Sequence, residues 1–124
     1  MSLLLDAGAF LAAERRDRLV ATLIKSEVEA GGAPITHGGI IGQVWRGARQ
    51  ASLARLLPAC RIVTLDEGLG RRAGALLARA RAADVIDAAL IVLASDGDRV
   101  LTSDPSELEA LAAAAGVHVE LVEI

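Results

Sequence analysis

The segment Ser2-Leu3-Leu4-Leu5-Asp6 decides the interpretation of the fold, because it joins a short, continuous apolar run to an acidic residue. An apolar run without polar alternation is typical of a strand that is covered on both faces, as in a parallel sheet. Asp6 and Gly8 end the run, so we expect the first strand to span Ser2 to Leu5. Carboxylates are seldom fully buried without a compensating partner, and Asp6 is therefore the first candidate site residue.

The rest of the chain alternates short β-type runs with long Ala-, Leu- and Arg-rich stretches of helical spacing. This order is typical of a parallel sheet flanked by helices. The expected later strands are 34–36, 61–65, 99–102 and 117–122. The expected helices are 9–14, 17–29, 39–46, 50–57, 66–81, 84–94 and 106–115. The sequence predicts one domain over residues 1–124, with a three-layer α/β fold and a mainly parallel five-stranded sheet.

Composition narrows the class of protein. At 124 residues the chain can bury roughly two-thirds of the surface that its unfolded form exposes. The single cysteine, Cys60, excludes an internal disulfide and a Cys-based zinc site, which fits a reducing cytosol. No apolar run approaches the roughly 20 residues of a membrane span, and no basic flank precedes Leu3. We therefore expect a soluble cytoplasmic protein without a membrane partner. The net charge of −3 means that the protein as a whole has no electrostatic attraction for nucleic acid.

Three further aspartates have contexts that resemble that of Asp6. Asp104 follows the fourth expected strand, and sites in open α/β sheets form beyond the carboxyl ends of strands. Asp84 and Asp87 are three residues apart on an apolar helix, so their side chains share one face. Helix capping or a turn is the ordinary alternative for Asp6, Asp84 and Asp104, whereas Asp87 has almost only aliphatic neighbours.

A fold that gathers these four carboxylates must neutralise them, because like charges at close range raise one another's pKa. Mg²⁺ and Mn²⁺ prefer oxygen ligands and keep several waters. The chemistry that suits such a site best is hydrolysis of a phosphodiester, in which the metal activates water and stabilises the leaving oxygen.

Four motifs occur in an order that resembles one known family. They are Leu4-Leu5-Asp6-Ala7-Gly8-Ala9-Phe10, Gln43-Val44-Trp45-Arg46, Asp84-Val85-Ile86-Asp87-Ala88 and Leu101-Thr102-Ser103-Asp104-Pro105. Together they span nearly the whole chain and resemble the PIN-domain family, specifically the VapC-like toxin ribonucleases. The resemblance implies a metal-dependent endoribonuclease that cleaves RNA, forms a homodimer and is held inactive by a cognate antitoxin. It makes Asp6, Asp87 and Asp104 catalytic metal ligands for Mg²⁺ or Mn²⁺, with Asp84 an adjacent acid in the same cluster.

One position departs from the family pattern. The family commonly has a glutamate in the helix after the second strand, where this chain has Gln43. An amide can offer an oxygen or bind a metal-bound water, but it carries no charge and cannot act as a general base. We therefore expect weaker metal affinity, one ion rather than two, and weak or conditional nuclease activity, with Asp84 compensating in part.

Several other residues are candidates for supporting roles. Ser103 either adds a hydroxyl to the site or begins the turn after the fourth strand. Arg46 and Arg49 either bind RNA phosphates or an antitoxin carboxylate, or belong to a solvated helical face. Trp45 is expected in the core or at a dimer interface, and His37 in a structural or surface position.

Two other functions remain open at this point. A degenerate PIN domain would bind RNA or a protein without cleaving, and Gln43 favours it. A phosphoacceptor receiver domain has a similar length and acids at strand ends, but it requires a lysine after the fifth strand. The only lysine here is Lys25, in an early helix.

Overall fold

The computed structural model describes residues 1–124 and contains five β-strands and seven α-helices. The strands are β1 Leu3–Leu5, β2 Ile35–His37, β3 Arg61–Val63, β4 Arg99–Thr102 and β5 Glu120–Glu123. The helices are α1 Ala7–Glu14, α2 Arg18–Glu29, α3 Gly38–Val44, α4 Ala51–Leu56, α5 Glu67–Ala80, α6 Val85–Val92 and α7 Pro105–Ala115. A single 3₁₀ turn, Leu57–Ala59, follows α4.

All five strands form one parallel sheet in the order β3-β2-β1-β4-β5. Leu4 of the central strand is in register with Ile35 on one side and with Val100 on the other. The three leucines of β1 have no exposed surface, as predicted from their continuous apolar run. The observed strand order differs from the 2-1-3-4-5 order of receiver domains, which argues against the phosphoacceptor alternative.

The helices form two groups, one on each face of the sheet. Helix α1 packs against α2, α3 and α4, whereas α5, α6 and α7 pack against one another. Right-handed crossovers explain the separation, because the chain moves toward one edge of the sheet through α1 to α4 and toward the other edge through α5 to α7. The three-layer α/β prediction is confirmed. No helix has the length and apolar character needed to cross a membrane.

Most element boundaries lie within two residues of the predicted ones, and the last strand differs most. Residues 117–122 were expected to form it, but β5 begins at Glu120, where pairing with β4 starts. Strand β2 extends one residue further than expected, because His37 still pairs with Val63 of β3. This extension places His37 at the carboxyl end of β2, beside the first aspartate.

Candidate active site

The carboxyl edge of the sheet contains a topological switch point between β1 and β4. After β1 the chain builds the sheet in one direction, and after β3 it returns to place β4 on the other side of β1. Such a change of direction leaves a crevice beyond the carboxyl ends of the two strands. Asp6 follows β1 and Asp104 closely follows β4, so both begin at this crevice.

Asp6 is buried, with 7% of its surface exposed, and occupies the cap position of α1. Its Oδ1 accepts a hydrogen bond of 3.0 Å from the N–H of Ala9. Burial raises the pKa of the Asp6 carboxyl, and hydrogen bonds from the Thr102 side chain and from the Ala9 backbone partly oppose that rise. The capping alternative is therefore correct for one of its oxygens, while the buried carboxylate remains at the crevice.

Thr102 and Ser103 connect Asp6 to Asp104. The Thr102 hydroxyl accepts the N–H of Asp104 at 3.0 Å and also hydrogen-bonds Asp6. A Cβ added to Gly8 would lie 2.8 Å from the Cβ of Ser103, a separation that real side chains do not tolerate. The start of α1 and the turn after β4 are thus in close backbone contact, and only glycine fits there.

Asp104 occupies the cap position of α7 but does not cap it with its side chain. Its Oδ1 instead accepts a hydrogen bond of 3.1 Å from the Ser106 hydroxyl. The Asp104 side chain is exposed. Its carboxylate is therefore accessible from solvent at the mouth of the crevice.

Asp84 and Asp87 lie in the first turn of α6, whose start is held at the same edge of the sheet. Asp84 caps the helix, since its Oδ1 accepts the N–H groups of Ile86 at 2.9 Å and Asp87 at 3.1 Å. The Asp87 side chain is half-buried. Its pKa is shifted by burial and by neighbouring charges, and no hydrogen bond contributes to the shift. Asp87 therefore has none of the backbone donors that satisfy Asp84.

His37 fixes the start of α6 against β2. Its Nδ1 accepts the N–H of Gly39 at 3.1 Å, so its Nε2 carries the proton and donates to the carbonyl of Ile86 at 2.9 Å. Burial lowers the pKa of His37 and so favours this neutral form. The expectation of a structural role for His37 is confirmed, and the structure adds that this residue positions the helix that contains Asp87.

The charges of neighbouring acids contribute to the pKa of Asp87. Burial is the largest cause that raises it to about 7, followed by the charges of Asp84, Glu107, Asp6 and Asp104. The two ion pairs of the molecule, Lys25–Glu29 and Arg71–Glu67, are exposed and involve none of the four aspartates. Asp6, Asp84, Asp87 and Asp104, here called the acidic cluster, thus interact electrostatically through Asp87 and form no ion pair with a cationic side chain.

Glu107 is a neighbour of the cluster that the sequence analysis missed. It lies in the first turn of α7, three residues after Asp104. Acids are common in a first helical turn because they interact favourably with the helix dipole, so its context looked ordinary. The i, i+3 spacing from Asp104 was the signal that could have found it.

The cluster suits a hard divalent cation by chemistry, since all its donors are carboxylate oxygens and its negative charge is uncompensated. As the side chains are placed, no three His, Cys, Asp or Glu residues converge closely enough to hold a metal ion. Asp6 and Asp84 each use Oδ1 as a cap, whereas Asp87 accepts no cap bond. Coordination by three of these residues would therefore require some side chains to turn toward a common point.

The remaining predicted residues are exposed at the surface. Gln43 is exposed on α3, and Ser103 is exposed where it contacts Gly8. Arg46 and Arg49 are exposed in the connection between α3 and α4. Trp45, at the end of α3, is 36% exposed, so of its two expected placements the core is wrong and a dimer interface stays a prediction.

Comparisons with known proteins give a likeness in fold. No family model matches the sequence, and no curated protein matches it. The structure is similar to a chain of the crystal structure of VapBC2 from Rickettsia felis bound to a DNA fragment from their promoter. The TM-score is 0.72 at 11% sequence identity, over 99% of this chain and 100% of that chain. The chain thus has a PIN-like α/β fold over its whole length, similar to that of a protein from a VapBC2 complex.

Proposed function

We propose that this protein is a metal-dependent endoribonuclease, the toxin of a VapBC-like toxin-antitoxin pair, which hydrolyses RNA phosphodiesters. The observation that carries the proposal is the acidic cluster at the switch point, which lacks any cationic side chain. The whole-chain likeness to a protein from a VapBC2 complex supports the same reading.

Asp6, Asp87 and Asp104 are the residues that would hold Mg²⁺ or Mn²⁺, with Asp84 as a fourth carboxylate. When bound, the ion would activate water and stabilise charge on the leaving oxygen. Thr102 orients Asp6 through its hydroxyl, and His37 fixes the helix that contains Asp87. Near pH 7 the Asp87 carboxyl exchanges a proton readily, because its pKa is about 7 in the absence of a cation.

Gln43 limits the expected activity. It is exposed on α3 and adds no charge to the cluster. We expect one bound ion, and we expect RNA cleavage to be slower than at a site with a glutamate at position 43.

A single-turnover assay with Mn²⁺ and a structured RNA tests the proposal. The native protein is expected to cleave, whereas Asp6→Asn and Asp87→Asn are expected not to. Asp98→Asn is the matched control, because it removes a buried carboxylate at the opposite edge of the sheet. Equal cleavage by the native protein and Asp6→Asn would indicate a contaminating nuclease and remove the support for catalysis.

A degenerate PIN domain that binds RNA or a protein without cleaving is the second candidate. It is favoured by the side-chain placement, in which no three potential ligands converge, and by the neutral Gln43. Retained RNA binding without cleavage at any Mn²⁺ concentration would select it.

A cognate antitoxin and a second copy of this chain are the proposed protein partners, with a cytoplasmic location. The VapBC2 complex of Rickettsia felis supports the antitoxin as a class of partner. Light scattering of the purified chain would test the homodimer, and a monomer at micromolar concentration would exclude a stable one.

A further inference from the structure

We propose that residues 45–50, here called the arginine loop, bind single-stranded RNA that extends toward the acidic cluster. Arg46 and Arg49 would contact phosphates, and Trp45 would stack on an unpaired base. This inference deepens the proposed function, and it rests on RNA being the substrate.

The arginine loop is held in one conformation by a single side chain. Gln50 Oε1 accepts the N–H groups of Arg46 and Gly47, and its Nε2 donates to the carbonyl of Val44 at 2.8 Å. Gly47 has a φ of 150°, a backbone conformation that residues other than glycine rarely adopt. A surface ordered in this way loses little conformational entropy when it binds a ligand.

The two arginines of the loop are available to anions. Arg46 Nη1 donates to the carbonyls of Gly42 at 3.1 Å and Trp45 at 2.7 Å, which orients the guanidinium and leaves its other donors free. Neither Arg46 nor Arg49 is paired with a carboxylate. A concave surface lined by residues 46–50 contains no acidic side chain. The loop is thus locally basic in a protein whose net charge is −3.

Trp45 distinguishes a nucleic acid from a simple anion. It precedes Arg46 directly and exposes 36% of its surface, although it is the only tryptophan of the chain. Exposed aromatic rings beside basic groups are the usual surface for single-stranded nucleic acid, because any base can stack on them.

The location of the loop agrees with this role. Helix α3 begins beside His37 at the carboxyl edge and has seven residues, so the loop lies roughly 10 Å from that edge. Helix α1, which begins at Asp6, packs against both α3 and α4. A strand of several nucleotides bound at the loop can therefore extend to the acidic cluster.

The test measures binding of a fluorescein-labelled RNA octamer by polarisation, in EDTA so that cleavage plays no part. The native protein is expected to bind and to show quenching of the Trp45 fluorescence by the unlabelled octamer. Arg46→Ala/Arg49→Ala should weaken binding about 10-fold or more and reduce the slope of log K against log salt by about 1.4, since each single-strand phosphate contact contributes about 0.7.

Matched variants distinguish RNA binding by the arginine loop from nonspecific attraction of RNA to basic side chains elsewhere. Arg72→Ala/Arg79→Ala removes the same charge from α5, beside a different concave surface, and should bind like the native protein. Gln50→Ala keeps both arginines, so it should weaken binding several-fold with an unchanged salt slope. Trp45→Leu should weaken binding roughly 5-fold or more.

Two outcomes would overturn the inference. One is equal loss of affinity in the α5 pair and the loop pair. The other is displacement of the RNA by octaglutamate at equal concentration, which would assign the loop to an acidic protein segment. Retained octamer binding without metal-dependent cleavage would contradict the nuclease proposal alone and leave this inference standing.

Discussion

Aspartates lie at both edges of the sheet, and their hydrogen-bond partners differ between the two edges. At the amino edge Asp98 is 4% exposed, slightly more buried than Asp6 at the carboxyl edge. Its Oδ1 accepts the N–H of Ser2 at 2.7 Å, and its Oδ2 accepts that of Ser95 at 2.9 Å. Both oxygens of Asp98 are therefore satisfied by backbone groups, and the residue ties the start of the chain to the turn before β4.

Asp87 at the carboxyl edge is the opposite case. It has no hydrogen bond that favours its charge, and four other carboxylates raise its pKa to about 7 together with burial. Burial alone therefore does not mark a functional acid in this molecule. The distinguishing property is a carboxylate that lies among other carboxylates and lacks donors of its own.

The largest expected effect separates the two edges by activity. Asp87→Asn should lower Mn²⁺-dependent RNA cleavage roughly 100-fold or more, because loss of even an indirect metal contact costs 10- to 100-fold. Asp98→Asn should cleave at nearly the native rate at a temperature where it is folded. Single-turnover rates of both variants give the comparison, and similar losses in both would end the distinction between the edges.

Metal binding should stabilise the protein through the carboxyl edge only. At a Mn²⁺ concentration of about 100 times Kd, the free energy of unfolding should rise by about 2.7 kcal/mol. Denaturant titrations with and without Mn²⁺ measure this gain. It should persist in Asp98→Asn and disappear in Asp87→Asn, and a gain of the same size in Asp87→Asn would place the metal elsewhere.

The amino edge should matter for stability instead. Asp98→Asn replaces one acceptor oxygen by an NH₂ group, which cannot accept from Ser2 or Ser95, and should cost about 1–3 kcal/mol of unfolding free energy. Denaturation in EDTA measures this loss. A native-like midpoint for Asp98→Asn would show that the tie between the chain start and β4 contributes little.

Lowering the pH should increase the free energy of unfolding through Asp87 at the carboxyl edge. The folded pKa of Asp87 is about 7 and exceeds its ordinary value of 3.8, so the folded state binds this proton more tightly than the unfolded state. The contribution of Asp87 to stability is therefore complete below about pH 4 and is lost as the pH rises through about 7. Without metal, the native protein should lose stability relative to Asp87→Asn as the pH rises from about 4 to about 7.

The smallest expected effect comes from adding a carboxylate to the functional edge. Gln43→Glu should tighten Mn²⁺ binding several-fold, because it increases the negative charge near the cluster. Calorimetric titration measures the change, and Gln43→Ala serves as the uncharged control. Unchanged affinity in Gln43→Glu would show that this position lies too far from the ion to contribute.

The sequence was sufficient for the parallel sheet because its strands have a simple signature. Leu3–Leu5 is a short apolar run, Arg99–Thr102 contains Val100 and Leu101, and both are followed by acidic turns, which a parallel sheet places along one edge. Val117 and Val119 are also β-branched but have no strand partner, so the last boundary was misplaced. Pairing, which local pattern cannot report, decides where β5 begins.

The parts of the site that escaped prediction depend on contacts between distant segments. His37 acts through a carbonyl 49 residues away, and Glu107 matters only because α7 begins beside Asp87. Trp45 was expected in the core or at a dimer interface, and its exposure excludes only the core. It follows the last turn of α3, where the chain enters the loop that Gln50 holds.

The central position of β1 has a consequence for when the site can exist. Asp6 follows β1, yet the strand that completes its surroundings, β4, begins only at Arg99, after two further strands and six helices. Until β4 is added, β1 lacks one neighbour and Asp6 lacks the Thr102 hydroxyl. Asp6 alone therefore does not make a site, because its surroundings form only when β4 has paired with β1. The arrangement around Asp6 thus depends on long-range folding and not on local structure.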